Sequence, residues 1–463
     1  MSTYEAGSFR DPDSAVFTVG GEVLRGLSGQ AADHYDRLRG TAFFPRLMES
    51  GQIVATTEHG GVAPPSPRGA PWVRVLQHER VPVVSFPYEW SFAMLRDAAA
   101  LQLGVLRAAL DEGMSLKDGT AYNVQFVGSR PTFIDIGSFE PASGPWPGYR
   151  QFCQTMLFPL MAQAHLGVPF QPLLRGAIDG LTPSDVAGMF SGLRRFRRGV
   201  LRNVTLHSVL ERRVRTASEQ VKDDLRASGF STEVTKATVK NLAKLVDRLE
   251  VARRGSTWSD YRDTCSYSDA DAAAKRGFVR SSLAAGESGL VLDLGANDGA
   301  YSRIAAEEAG YVVAVDGDEM VVDGLYRQLR AERKENILPL VMNLVDPSGG
   351  LGWRNRERAA FAERVRPDVV LALALVHHLA IGANVPLPEV VSWLGLFGGR
   401  LIVEFVDPED VQAQRLLANK PPGLFDDYRR DAFEELLAER FLVHEQLPLP
   451  GGTRTLYLAE PKP

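Results

Sequence analysis

The chain has 463 residues, 44% of them apolar and 24% charged, which is long enough for two or three domains with their own cores. Its 52 basic against 57 acidic side chains give a net charge of -5, a balance that disfavours a general nucleic-acid or anionic-membrane binder. Only two cysteines, Cys153 and Cys265, argue against a disulfide framework; with no leader-like start and no apolar run of spanning length, the expectation is a cytoplasmic protein with no membrane partner.

In chain order, residues 15–19 and 21–25 alternate as short strands, and residues 31–48 carry a helical pattern. The Gly/Pro/Ser-rich stretch 60–71 reads as an exposed loop. Residues 72–76 and 81–85 follow as strands, then a long amphipathic helix over 88–110.

Next comes Lys117-Asp118, four residues, Asn123, two apolar strands meeting at Gly128-Ser129, and Asp135-Ile-Gly137. This resembles the catalytic and metal loops of protein-kinase-like phosphotransferases. The resemblance implies Asp118 as the catalytic carboxylate and Asn123 and Asp135 as magnesium ligands. No glycine-rich phosphate loop and no clear Val-Ala-x-Lys strand precede them, so the expectation is a kinase-like scaffold without phosphoryl transfer. The same residues also serve as turn caps and a strand end.

From 149 to 249 the pattern is helical, broken near Gly167 and Leu181-Thr-Pro183. It contains a dense basic run, Arg194-Arg-Phe-Arg-Arg198, continuing to Arg202, Arg212, Arg213 and Arg215. Such a run suits a phosphorylated acceptor, a nucleic acid or an acidic carrier protein. A solvated helix face paired to acids elsewhere is the simpler expectation. The composition divides the chain into an α+β domain at 1–150, a helical extension and linker at 151–255, and an α/β domain at 256–463.

The last of these is the most informative. Leu290-Val-Leu-Asp293-Leu-Gly295-Ala296-Asn297-Asp-Gly299 reads as a buried strand, a tight turn and the start of a helix. A second strand ends at Asp316-Gly317, about twenty residues on, and others end near Asn343-Leu344, Leu375 and Asp407. Strands alternating with helices imply a parallel doubly wound sheet whose carboxyl edge meets a small molecule. His377 and His378 fall at that edge. Adjacent residues rarely converge on one ion, and no metal is expected.

These motifs resemble those of class I S-adenosylmethionine (SAM) dependent methyltransferases. The resemblance implies a Rossmann-like seven-stranded sheet closed by an antiparallel hairpin. SAM would be held by Asp293, Gly295, Ala296, Asn297, Gly299, Asp316, Gly317, Asn343, Leu344 and Leu375, and Tyr261 or Tyr267 from the lead-in helix would lie against the sulfonium. His377 or His378 would orient or deprotonate the acceptor, with Glu404 as partner. Across the chain, residues 86–92, 122–126 and 373–382 resemble methyltransferases of the nodulation-protein group, in which the acceptor is undefined. The expected partner is a small-molecule or carrier-bound acceptor, with a second copy of the chain left open. The alternatives are a SAM-binding scaffold, a non-methylating use of the fold such as cyclisation, and a phosphotransferase in the first half.

Overall fold

The computed structural model describes residues 2–200, 203–204, 232–251 and 267–462, apart from 62, 65, 68 and 70. Two compact units result: residues 1–126, 131–253 and 350–359 form the first, and 127–130, 254–349 and 360–463 the second.

In the first unit, β1 (Ser2–Tyr4), β2 (Ser14–Val19), β3 (Glu22–Leu27), β4 (Thr56–Glu58) and β5 (Arg74–His78) form an antiparallel sheet in the order β1-β2-β3-β5-β4. The helix expected over 31–48 is two helices, Gly29–Arg39 and Phe43–Glu49, because the chain turns at Gly40-Thr41 with the Thr41 hydroxyl on the Leu38 carbonyl. The strand expected at 81–85 does not form. Pro82 removes a ladder donor, and the Ser85 backbone bonds both ways to the Gln125 side-chain amide, each at 2.9 Å.

The long helix is Phe92–Asp111, capped by Ser91 and buried along Phe92, Leu95, Leu103, Leu106 and Leu110. After it, β6 (Met114–Leu116) pairs with β9 (Phe139–Pro141), and β7 (Val124–Val127) pairs with β8 (Arg130–Phe133) around Gly128. The helical extension includes Tyr149–Phe152 and Phe158–Leu166, joined by a π turn at Cys153–Leu157 and stopped by left-handed Gly167.

In the second unit, β10 (Leu290–Leu294), β11 (Tyr311–Asp316), β12 (Ile337–Val341), β13 (Val369–Ala372), β14 (Arg400–Val406), β15 (Phe441–Pro448) and β16 (Arg454–Pro461) form one sheet. Its order is β12-β11-β10-β13-β14-β16-β15, parallel through β14 and closed by an antiparallel hairpin. The parallel strands are buried on both faces, which is why they read as unbroken Val/Leu/Ile runs. Val291, Val312, Ile337, Val369, Ile402 and Leu456 share one core. Each such side chain contributes roughly 1.5–3 kcal/mol on full burial. Chain progress reverses direction between β10 and β13, and that switch opens a crevice at their carboxyl ends.

Candidate functional site

The turn after β10 is shaped by backbone conformation. Gly295 (φ 77°) and Gly299 (φ 80°) are left-handed, and a Cβ at Gly299 would sit 2.7 Å from Leu325 Cδ1. Asn297 between them is also left-handed at φ 49°. The amides of Gly295 and Ala296 both donate to the Val315 carbonyl, which pins the turn against β11. Asp293 is fully buried and accepts from Ser302 Oγ at 2.6 Å. Burial pushes its carboxyl up to about 6, against the pull of the Ser302 bond and the Lys275 charge. Through the Ser302 bond it braces the turn from beneath.

Asp316 ends β11 at the rim, half-buried. Its Oδ2 accepts from the Asn297 amide at 2.9 Å and its Oδ1 from the Asp318 amide at 2.8 Å. The helix Glu319–Glu332 is capped by Asp318, so Asp316 is not its cap. Burial raises the Asp316 carboxyl, and the two amides act to hold it ionised. Gly317 is exposed beside it. Beyond β12, Asn343 is exposed with its Oδ1 on the Val345 amide at 3.1 Å, and Leu344 is half-buried next to it.

Across the crevice, Ala374 follows β13 with φ 50°. For a residue with a Cβ this costs roughly 1–2 kcal/mol, and strain of this kind concentrates at functional turns. Leu375 is buried behind it, and His378 opens a π turn, His378–Gly382. The His377 and His378 rings lie 4.1 Å apart. His377 is fully buried, and neither of its ring nitrogens has a hydrogen-bond partner among the described residues. Burial, then His378 and the charges of Arg454 and Lys275, drive its titration well below the ordinary range. His378 is half-buried and held down to about 4, by burial and Arg454. Both imidazoles are neutral at pH 7.

Glu404 on β14 is not the partner of either histidine. Its Oε1 accepts from the Tyr267 hydroxyl at 2.6 Å, and its Oε2 from Lys275 Nζ at 2.6 Å. Lys275 Nζ also donates to the Tyr267 hydroxyl at 2.8 Å. The Tyr267 ring lies near two cations, Lys275 Nζ at 4.6 Å and the Arg454 guanidinium at 4.2 Å. An aromatic face already engaged by cations is a poor seat for a sulfonium, which corrects the role expected of Tyr267. Tyr261 lies outside the described residues.

Arg454, at the start of β16, grips Asp410 through two bonds of 2.8 and 3.0 Å. Burial opposes its charge, but Asp410, Tyr267 and Glu404 raise its titration further. The network edges a cleft of about 240 Å³ lined by Tyr267, Asp271, Asp410, Leu449, Thr453 and Arg454. Sequence reasoning placed Lys275 on the helix feeding the sheet without a site role and gave none to Asp410 or Arg454. One signal was available: Lys275 sits three and four residues before Phe278 and Val279, on the apolar stripe of the helix Asp269–Ala284.

In the first unit, the kinase-like residues do not form a cation cradle. Asp135 pairs with Arg25 on β3 at 2.9 Å, and Arg25 also donates to Ser14 Oγ and His78 Nε2. Asp118 accepts from Gln151 Nε2 at 3.1 Å, and burial together with the charge of Asp135 raises its carboxyl. Asn123 is buried, with no hydrogen-bond partner for its Nδ2 among the described residues. Among the described residues, no group of three or more His, Cys, Asp or Glu is placed to hold a metal ion.

No protein-family model matches the chain. Nodulation protein NoeA of Rhizobium meliloti (strain 1021) is 33% identical over 468 residues, spanning 98% of this chain and 95% of that protein. Among solved structures, N-methyltransferase NodS from Bradyrhizobium japonicum WM9, in complex with S-adenosyl-L-homocysteine, is 12% identical at TM-score 0.31 and covers 42% of this chain and 88% of its own. Geranyl diphosphate C-methyltransferase from Streptomyces coelicolor A3(2) is 16% identical at TM-score 0.29, over 41% of this chain and 81% of its own. Likenesses this distant say nothing of substrate, and the fold is read from the strand order itself.

Proposed function

The chain belongs to the family of nodulation protein NoeA, and from that membership and the sheet edge we propose a SAM-dependent methyltransferase. Its acceptor is an oxygen, nitrogen or activated carbon of a small or carrier-bound molecule. The observation that carries this reading is the paired left-handed backbone on both sides of the switch point, Asn297 after β10 and Ala374 after β13, with the Asp316 carboxylate at the rim.

The residues present fit the cofactor. Gly295, Ala296 and Asn297 bring backbone to the crevice, and Gly299 opens the helix Ala300–Glu308 toward it. Asp316 uses one lone pair of each oxygen on an amide and keeps the others for a ribose diol. Gly317, Asn343 and Leu344 supply the adenine side, and Leu375 the opposite wall. Bound there, the cofactor supplies an electrophilic methyl group.

The chain's own part is positioning and exclusion of water. His378, neutral and half-buried, orients the nucleophile by accepting a hydrogen bond; an imidazole held at about 4 is a weak base. His377 backs it. Glu404, locked to Lys275 and Tyr267, fixes the cleft wall and takes no proton from the histidines. The test is calorimetric titration of the full chain with S-adenosylhomocysteine. Saturable binding supports the reading, and a folded protein giving no heat overturns it.

A further inference from the structure

We propose that residues 191–198 of the first unit are a docking surface for an anionic lipid bilayer. Phe190 and Val200 are buried and bracket eight consecutive exposed residues. Left-handed glycines, Gly192 at φ 61° and Gly199 at φ 77°, turn the chain out and back. Within the protrusion, Gly192–Phe196 is a 3-10 turn, not the helix face expected from the sequence.

Residues three apart eclipse one another in a 3-10 turn. Leu193 and Phe196 therefore stand on one edge, and they are 86% and 62% exposed; Leu193 is the most exposed large apolar side chain among the described residues. Arg194, Arg195, Arg197 and Arg198, all exposed, flank those two residues in sequence, with the Arg195 guanidinium 5.0 Å from the Phe196 ring centroid. Among the described residues, none of the four guanidinium groups has an acidic partner within ion-pair distance, so the expected pairing to acids is not found there.

An apolar ridge flanked by cations matches the acyl boundary and phosphate layer of an anionic membrane surface. Guanidinium groups bind phosphate oxygens through paired donors, while the two apolar side chains leave water. A nucleic acid would use the arginines and the Phe ring, but Leu193 has no face for a base to stack on. The whole-chain charge of -5 hides this local concentration of four positive charges in five residues.

The test is flotation of the full chain with vesicles of phosphatidylcholine alone or mixed with phosphatidylglycerol, at about 0.1 M and about 0.5 M salt. The chain is expected to float only with the anionic vesicles and to be released by salt. Arg194→Glu with Arg195→Glu should lower binding at least tenfold. Leu193→Ser with Phe196→Ser should lower it comparably while leaving the salt dependence in place. Circular dichroism checks the fold of each variant. A folded chain that ignores anionic vesicles overturns the proposal, as does equal flotation with neutral ones. If the Leu193/Phe196 variant binds unchanged and the arginines instead retain a single-stranded oligonucleotide, the surface is a nucleic-acid site.

Discussion

Lys275 and Glu404, 129 residues apart in sequence, form an ion pair of 2.6 Å with side chains only 3% and 0% exposed. Removing one partner strands a charge in a dry interior, so Lys275→Met should destabilise the second unit by about 3 kcal/mol. Lys275→Met with Glu404→Gln should recover part of that loss. Urea midpoints of the two variants decide it: a double variant no more stable than the single one would mean that Arg454, 3.7 Å from Glu404, already neutralises it.

Asp316→Ala should weaken S-adenosylhomocysteine binding at least tenfold, about 1.4 kcal/mol, since it removes the carboxylate proposed to accept from a ribose diol and also frees the Asn297 and Asp318 amides. Asp316→Asn keeps one oxygen and should fall between. Unchanged affinity in both, by calorimetry, removes Asp316 from the ribose role.

The buried histidines set an acid limit. His378 is held at about 4 in the folded chain against 6.5 ordinarily, so between those values the unfolded chain binds a proton that the folded site refuses. Stability present above about pH 6.5 is therefore lost as pH falls toward 4. His78, buried in the first unit and held at about 3, acts in the same direction. Asp293 opposes it, because its carboxyl is raised from 3.8 to about 6 and stability falls as pH rises through that window. His378→Asn should flatten the acid loss; melting curves that superpose with wild type at every pH would show that the imidazole is solvated. His377→Leu, which removes two unbonded buried nitrogens, should raise stability by about 1 kcal/mol.

Magnesium and ATP together should give no binding heat with the full chain, because the Arg25 guanidinium occupies the Asp135 carboxylate. Saturable heat abolished by Asp135→Ala is the result that would restore a phosphotransferase site.

The apolar runs, Gly295 and Gly299, and the acid ending β11 were legible in the sequence because they report local requirements. A parallel strand buried on both faces needs an unbroken apolar run, and glycine enters a left-handed turn without the steric cost that other residues bear. By themselves they specified a doubly wound sheet. The Lys275, Tyr267, Glu404, Arg454 and Asp410 network could not be read that way, because it joins a lead-in helix, β14, the loop after β14 and β16 through space. The neutrality of His377 and His378 also depended on tertiary structure, since it follows from burial and from cations brought beside them. So did the pairing of Asp135 with Arg25, which turned a familiar spacing into a closed ion pair. Spacing along a chain fixes which groups are available; the distance between them in the fold decides their charge and what they are free to bind.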